Sequence, residues 1–303
     1  MTDRQVSNVA ASVRQRLLNH ARAQAQDFQL VLTYYAIERV LYRLQHSEYH
    51  GMFVLKGAML FRVWEGATAR QTRDLDLLGF GEPDAMAAVF RALAARPVVP
   101  DDGLLFDPSS VRTEPIRDQT EYRGVRVRLQ ATLDSARIPM QIDVGFGDVV
   151  TPAPREAAYP ALLDLPAPTI RMYPRETVVA EKFQAIVSLS TANTRVKDFY
   201  DVWHLAQRYE FDGRILGNAV RRTFERRTTE LPSDVPLGLA ATYLNDPNRA
   251  PQWSGLLGGA GSTSAVSFQE AGSRIREFVL PVTRSDFAGA WPPGGPWSGV
   301  TSA

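Results

Sequence analysis

Apolar positions near the start of the chain recur at helical spacing. In DFQLVLTYYAIERVLYRL, Phe28, Leu32, Tyr35, Ile37, Val40 and Leu44 fall close to one stripe, and residues 4–47 predict two amphipathic helices. The pattern then shortens. FVLKGAMLFRVWEG suits a strand at 53–55, a tight turn at Lys56 and Gly57, and a helix at 58–64. RQTRDLDLLGF follows as a second strand, closed by Gly79 and Gly81. EPDAMAAVFRALAAR is an amphipathic helix opened by Pro83. From 103 to 150 the texture is that of strands: GVRVRLQATL alternates strictly, and MQIDVGFGD lies close behind.

After Val150 the pattern changes. A Pro-rich connector, TPAPREAAYPALLDLPAPTI, leads into three helical stretches: RETVVAEKFQAIVSL, RVKDFYDVWHLAQRY and GRILGNAVRRTFERRT. The organisation predicted is a mixed α/β portion over 1–170, a helical portion over 171–283, and a tail over 284–303 whose Gly, Pro and Ser content predicts mobility. No stretch has the apolar length of a membrane span, and the first twenty residues lack a signal-peptide core. The chain has no cysteine, which excludes disulfides, thiolate zinc sites and cysteine nucleophiles. A formal charge of +1 leaves any basic surface local. The expectation is a cytoplasmic protein without a membrane partner.

One apolar run carries an acidic pair. On a strand Asp74 and Asp76 would project the same way, while Leu75 and Leu77 face the opposite layer. Two carboxylates that close repel, and a divalent cation is the commonest way to hold both ionised. An edge strand with one solvated face is the plainer alternative. Asp143, among Met140, Ile142 and Val144, places a third carboxylate on a second apolar strand, although a capped strand end would explain it alone. Three such carboxylates suit magnesium-assisted phosphoryl or nucleotidyl transfer. Upstream, Gly57 at a strand-to-helix turn permits close backbone approach, and the following helix start offers N–H groups to phosphate. No Walker loop, serine elbow or paired-histidine metal motif is present.

Lysine usage sharpens the pattern. Of 34 basic residues only Lys56, Lys182 and Lys197 are lysines, so each is a candidate site where a compact ammonium rather than a planar fork is required, the alternative being that three lysines remain by chance in an arginine-biased chain. All three lie beside the segments singled out here.

LKGAMLFRVW, RQTRDLDL, IDV, TVVAEK and RVKDFYD occur in that order over 54–201. Together they resemble the AbiEii/AbiGii nucleotidyltransferase-like toxin family, which includes the MenT toxins. The late segment WSGLLGG…FVLPV also looks like that family's C-terminal end. The resemblance implies an α/β (α+β) fold: a polymerase-β-like nucleotidyltransferase core with a mixed sheet, followed by a helical C-terminal half. It implies Asp74, Asp76 and Asp143 as ligands of Mg²⁺ or Mn²⁺, and Lys56, Gly57, Thr72 and Lys182 as nucleotide-binding residues. Asp74, Asp76, Lys182 and Asp198 would be catalytic. Ala58 follows Gly57 where the wider superfamily has serine, leaving Thr72 as a substitute hydroxyl. Lys197 and Asp201 belong to the last motif, with helix pinning as their expected role.

The activity implied is attack of a hydroxyl on the α-phosphate of an NTP, with the 3′ end of tRNA as acceptor, translation blocked as the result, and a cognate antitoxin as partner. In RRTFERRT, Arg221, Arg222, Arg226 and Arg227 form a candidate RNA footprint on a helix. Arg171, Arg175 and Arg195 are candidate extensions. A solvated helix face partly neutralised by Glu225 is the alternative for the footprint. A transferase of the same fold acting on a protein or small molecule is the alternative for the function.

Overall fold

The computed structural model describes residues 8–66, 70–116, 124–259 and 266–299. The expected helical start at residues 4–7 and the last residues of the tail, 300–303, lie outside them. The chain divides into two compact units. One comprises Met1–Gly147 with Glu156–Met172, the other Asp148–Arg155 with Tyr173–Ala303.

The first unit opens with α1 (Val9–Ala23), capped by the Asn8 side chain, and α2 (Phe28–Gln45), capped by Asp27 accepting from the Leu30 N–H at 2.9 Å. The expected one-sided stripe on α2 gives way to a helix buried all round from Leu30 to Leu44. Its charged members are tolerated there because Arg39 and Arg43 both engage the buried Asp102, and Glu38 accepts from Arg39 and from the Leu162 N–H. β1 (Phe53–Lys56), α3 (Met59–Glu65), β2 (Leu75–Gly79) and α4 (Met86–Ala95) follow as the pattern predicts. Asp74 stands one residue before β2, so the acidic pair straddles the start of the strand.

β3 (Leu104–Ile116), β4 (Gly124–Leu133) and β5 (Ala136–Phe146) form the antiparallel part of the sheet. The supposed connector supplies two more strands, β6 (Arg155–Ala158) and β7 (Thr169–Met172). The seven-stranded order is β3-β4-β5-β2-β1-β7-β6. β2 runs parallel to β5 and β1 parallel to β7, while β1 and β2 are antiparallel. The sheet is therefore mixed, as the resemblance implied. Leu55, Leu75, Leu77, Ile142 and Val144 are buried in its core, and α2 and α4 pack on it.

The second unit is helical: α5 (Arg175–Leu189), α6 (Val196–Arg208), α7 (Gly213–Arg226), α8 (Ala241–Leu244), α9 (Ala250–Gly259) and α10 (Phe268–Val279). Asp212 caps α7, and a reciprocal Ser267–Glu270 capping box starts α10. Phe199, Tyr243, Trp253 and Phe268 form an aromatic core. The soft boundary expected near 170 falls at 172, but 148–155 joins the helical unit: Thr177 of α5 accepts from the Thr151 N–H and donates to its carbonyl.

The mobile tail is corrected. β8 (Phe211–Asp212) pairs with β9 (Ala290–Trp291). Trp291 is fully buried and donates to the Ala206 carbonyl at 2.7 Å, and Trp297 stacks on Phe278. Two tryptophans outweigh the Pro-Gly composition that suggested disorder.

Candidate active site

In the first unit, one row of paired residues crosses four neighbouring strands. Arg126 on β4 is opposite Asp143 on β5, Asp143 is opposite Asp76 on β2, and Asp76 is opposite Lys56 on β1. Residues opposed in this way share a face. The rung therefore reads positive, negative, negative, positive. Leu75 and Leu77 turn into the buried layer, and the two aspartates are held on the other face.

Gly57 closes this rung. Its φ of +69° suits glycine, and a Cβ there would fall inside the Asp76 carboxylate. The turn therefore lets the backbone approach the carboxylate, a role in addition to the phosphate approach expected of it. The α3 start is less open than expected, because the Leu60 and Phe61 N–H groups donate to the Gly57 and Ala58 carbonyls. Thr72 is half-buried, with its N–H toward the Tyr34 hydroxyl at 3.4 Å.

Asp143 accepts two hydrogen bonds from Arg126, at 2.9 Å from Nε and 2.8 Å from Nη2. Those bonds, aided by the negative charge of Asp143, Glu114 and Asp74, hold the Arg126 guanidinium above its usual pKa despite partial burial. Arg126 was not singled out from the sequence. Its signal was there, in the alternation of GVRVRL that puts Arg126 on the polar face of β4.

The hard oxygen donors of Asp74, Asp76 and Asp143 suit Mg²⁺ or Mn²⁺. Asp76 and Asp143 stand side by side, yet among the described residues no three His, Cys, Asp or Glu side chains form a ready metal-binding group. The donor types fit such a cation, with Asp143 held by Arg126.

The second unit holds the remaining motif residues. Lys182 on α5 lies 2.7 Å from Asp198 and 2.8 Å from Asp201, both on α6. The three-residue spacing puts both carboxylates on one helix face. Lys197, by contrast, is exposed. Helix pinning thus belongs to Asp201 with Lys182, and Asp201 is a further member of this constellation, legible in the motif but assigned there only a possible structural part.

Of the candidate RNA footprint, Arg222 and Arg226 are exposed, and Arg221 is half-buried with Nη1 3.4 Å from the Arg284 carbonyl. Arg227 departs from the expectation. It pairs with Asp148 at 2.9 Å and Glu181 at 3.3 Å and donates to Gln184. Burial works to lower its pKa, but Glu181 and Asp148 hold it above the usual value. Of the candidate extensions, Arg171 donates to the Gly51 carbonyl, Arg175 lies 3.7 Å over the Tyr209 ring, and Arg195 is exposed.

The model of the family described as "Nucleotidyl transferase AbiEii toxin, Type IV TA system" matches residues 39–274. The chain belongs to the AbiEii family. It is a nucleotidyltransferase toxin of a toxin–antitoxin system, and membership implies an antitoxin partner. Two solved structures are similar. One is a protein from H. pylori described as a candidate nucleotidyltransferase, 13% identical, covering 82% of this chain and 92% of its own, with a TM-score of 0.46. The other is JHP933 from Helicobacter pylori, 13% identical, covering 82% and 89%, with a TM-score of 0.43. A search of curated proteins gives no match. Among the described residues of this AbiEii chain, no helix is long and apolar enough to cross a membrane.

Proposed function

We propose that this AbiEii protein transfers a nucleotidyl group from an NTP to the 3′-hydroxyl of tRNA, with a divalent cation held by Asp74, Asp76 and Asp143, and so blocks translation. The observation that carries the reading is the Asp143–Asp76 pair on neighbouring strands beside the Gly57 turn. In the reaction the acceptor hydroxyl gives up its proton to solvent as its oxygen bonds to the α-phosphorus, the bond from that phosphorus to the bridging β-phosphate oxygen breaks, and pyrophosphate leaves with those electrons. The cation would supply charge neutralisation for the triphosphate and the leaving oxygen.

This chain's residues do the rest. Gly57 brings the backbone close, Lys56 and Thr72 are assigned to the nucleotide, and the family resemblance assigns Lys182 to the triphosphate. Asp198 orients Lys182 through the 2.7 Å contact. Arg221, Arg222 and Arg226 are assigned to the RNA backbone, where removing one should weaken binding and its salt dependence together.

The test is incubation with Mg²⁺, each α-labelled NTP and tRNA. The expected result is label on tRNA that disappears when its 3′ end is oxidised by periodate and in Asp76→Ala. Label on protein or a small molecule, with none on RNA, would replace the tRNA reading with the other acceptor class.

A further inference from the structure

We propose that Arg126 is a built-in counter-cation for Asp143 which a divalent cation has to displace, so that Arg126 sets how tightly the carboxylate site holds metal. The inference rests on the metal-dependent reading above. It starts from the rung of Arg126, Asp143, Asp76 and Lys56. Neighbouring strands lie about 5 Å apart, so the central carboxylates repel and each gains from a cation on its outer side.

The two flanking cations differ in kind. Lys56 is a point charge, whereas the Arg126 fork takes both Asp143 oxygens at once. Two parallel N–H···O bonds occupy the side from which both oxygens can be reached together. A cation bound there would also stand against the guanidinium charge. Arg126 therefore has to give up at least one of its bonds when Asp143 becomes a ligand. Its side chain is about one-third exposed, at 32%, so solvent is at hand to receive the displaced head group.

A nearby arginine provides the control. Arg128, two residues along the same face of β4, pairs with Glu114 at 2.9 Å rather than with the aspartates. Both changes remove one positive charge, but only the Arg126 change frees Asp143.

The experiment is titration of the full chain with Mn²⁺, with free ion read by electron paramagnetic resonance. Arg126→Gln is expected to bind about tenfold tighter than the parent, the scale of one charge-assisted pair. Arg128→Gln should shift affinity by less than about twofold, as a distant screened charge does. In an Asp143→Asn background the Arg126→Gln gain should vanish. Equal or weaker binding by Arg126→Gln, or an equal gain from Arg128→Gln, overturns the proposal while leaving the metal site intact if Asp76→Asn still abolishes binding. No binding in any variant overturns the metal-dependent reading and this inference with it. If Arg126→Gln does not fold, Arg126→Met carries the same test, because it too removes the charge and the fork.

Discussion

Replacing Asp201 by asparagine should cost more stability than the same change at Asp198, although both meet Lys182 at nearly the same distance. Asp201 is fully buried and Asp198 is 9% exposed, while the Lys182 side chain is 16% exposed. Breaking a buried ion pair typically costs about 3–5 kcal/mol when it strands a charge. Asp198 still neutralises Lys182 in Asp201→Asn, so the cost falls to or below the bottom of that scale, about 2–3 kcal/mol. Asp198→Asn leaves the deeper partner in place and should cost about 1 kcal/mol. Urea unfolding followed by tryptophan fluorescence suits the measurement, since four of the five tryptophans, Trp203, Trp253, Trp291 and Trp297, lie in the helical unit. In a Lys182→Met background the Asp201→Asn cost should shrink or reverse, because the buried Asp201 carboxylate has already lost its cation there and the substitution removes that charge. A smaller cost at Asp201 than at Asp198, or a cost unchanged by Lys182→Met, would refute the reasoning.

Burial raises the pKa of Glu38, with the Leu162 N–H and Arg39 opposing. A raised folded-state pKa favours folding below the ordinary carboxyl pKa, and that contribution is lost as pH rises through the folded value. Glu38→Gln should therefore gain stability relative to the parent as pH rises above the ordinary carboxyl range; a pH-independent difference in urea midpoints would contradict this. Trp291→Ala should cost about 3–5 kcal/mol, as a buried aromatic truncation does, where a free tail would cost nothing; thermal unfolding decides it. Gly57→Ala should reduce transfer by about a hundredfold or more through displacement of Asp76, and near-parental activity would exclude the close approach described for the turn.

Much of this was legible in the sequence because period-two and helical patterns are local. The alternation in GVRVRLQATL and the turn at Gly57 both correspond to what the chain forms. What escaped was decided by partners far away in sequence. The all-round burial of α2 depends on Asp102 some sixty positions on, which Arg39 and Arg43 reach at 3.1 and 2.7 Å. Arg227 looked like its exposed neighbours until Asp148 and Glu181 were placed around it. Arg126 is part of a polar strand face in sequence, and becomes significant only when register sets it opposite Asp143. The C-terminal segment was misread because Gly and Pro content speaks for backbone freedom, while two indoles decide the packing.

The central claim is nucleotidyl rather than phosphoryl transfer, and the position of the label in the NTP tests it most directly. With Mg²⁺ and tRNA, the parent chain supplied with α-labelled NTP should place label on RNA, and γ-labelled NTP should yield labelled pyrophosphate in equal amount. Asp76→Ala and Lys182→Met should do neither. Label from the γ-position on any acceptor, or α-label incorporation that survives Asp76→Ala, would contradict the account.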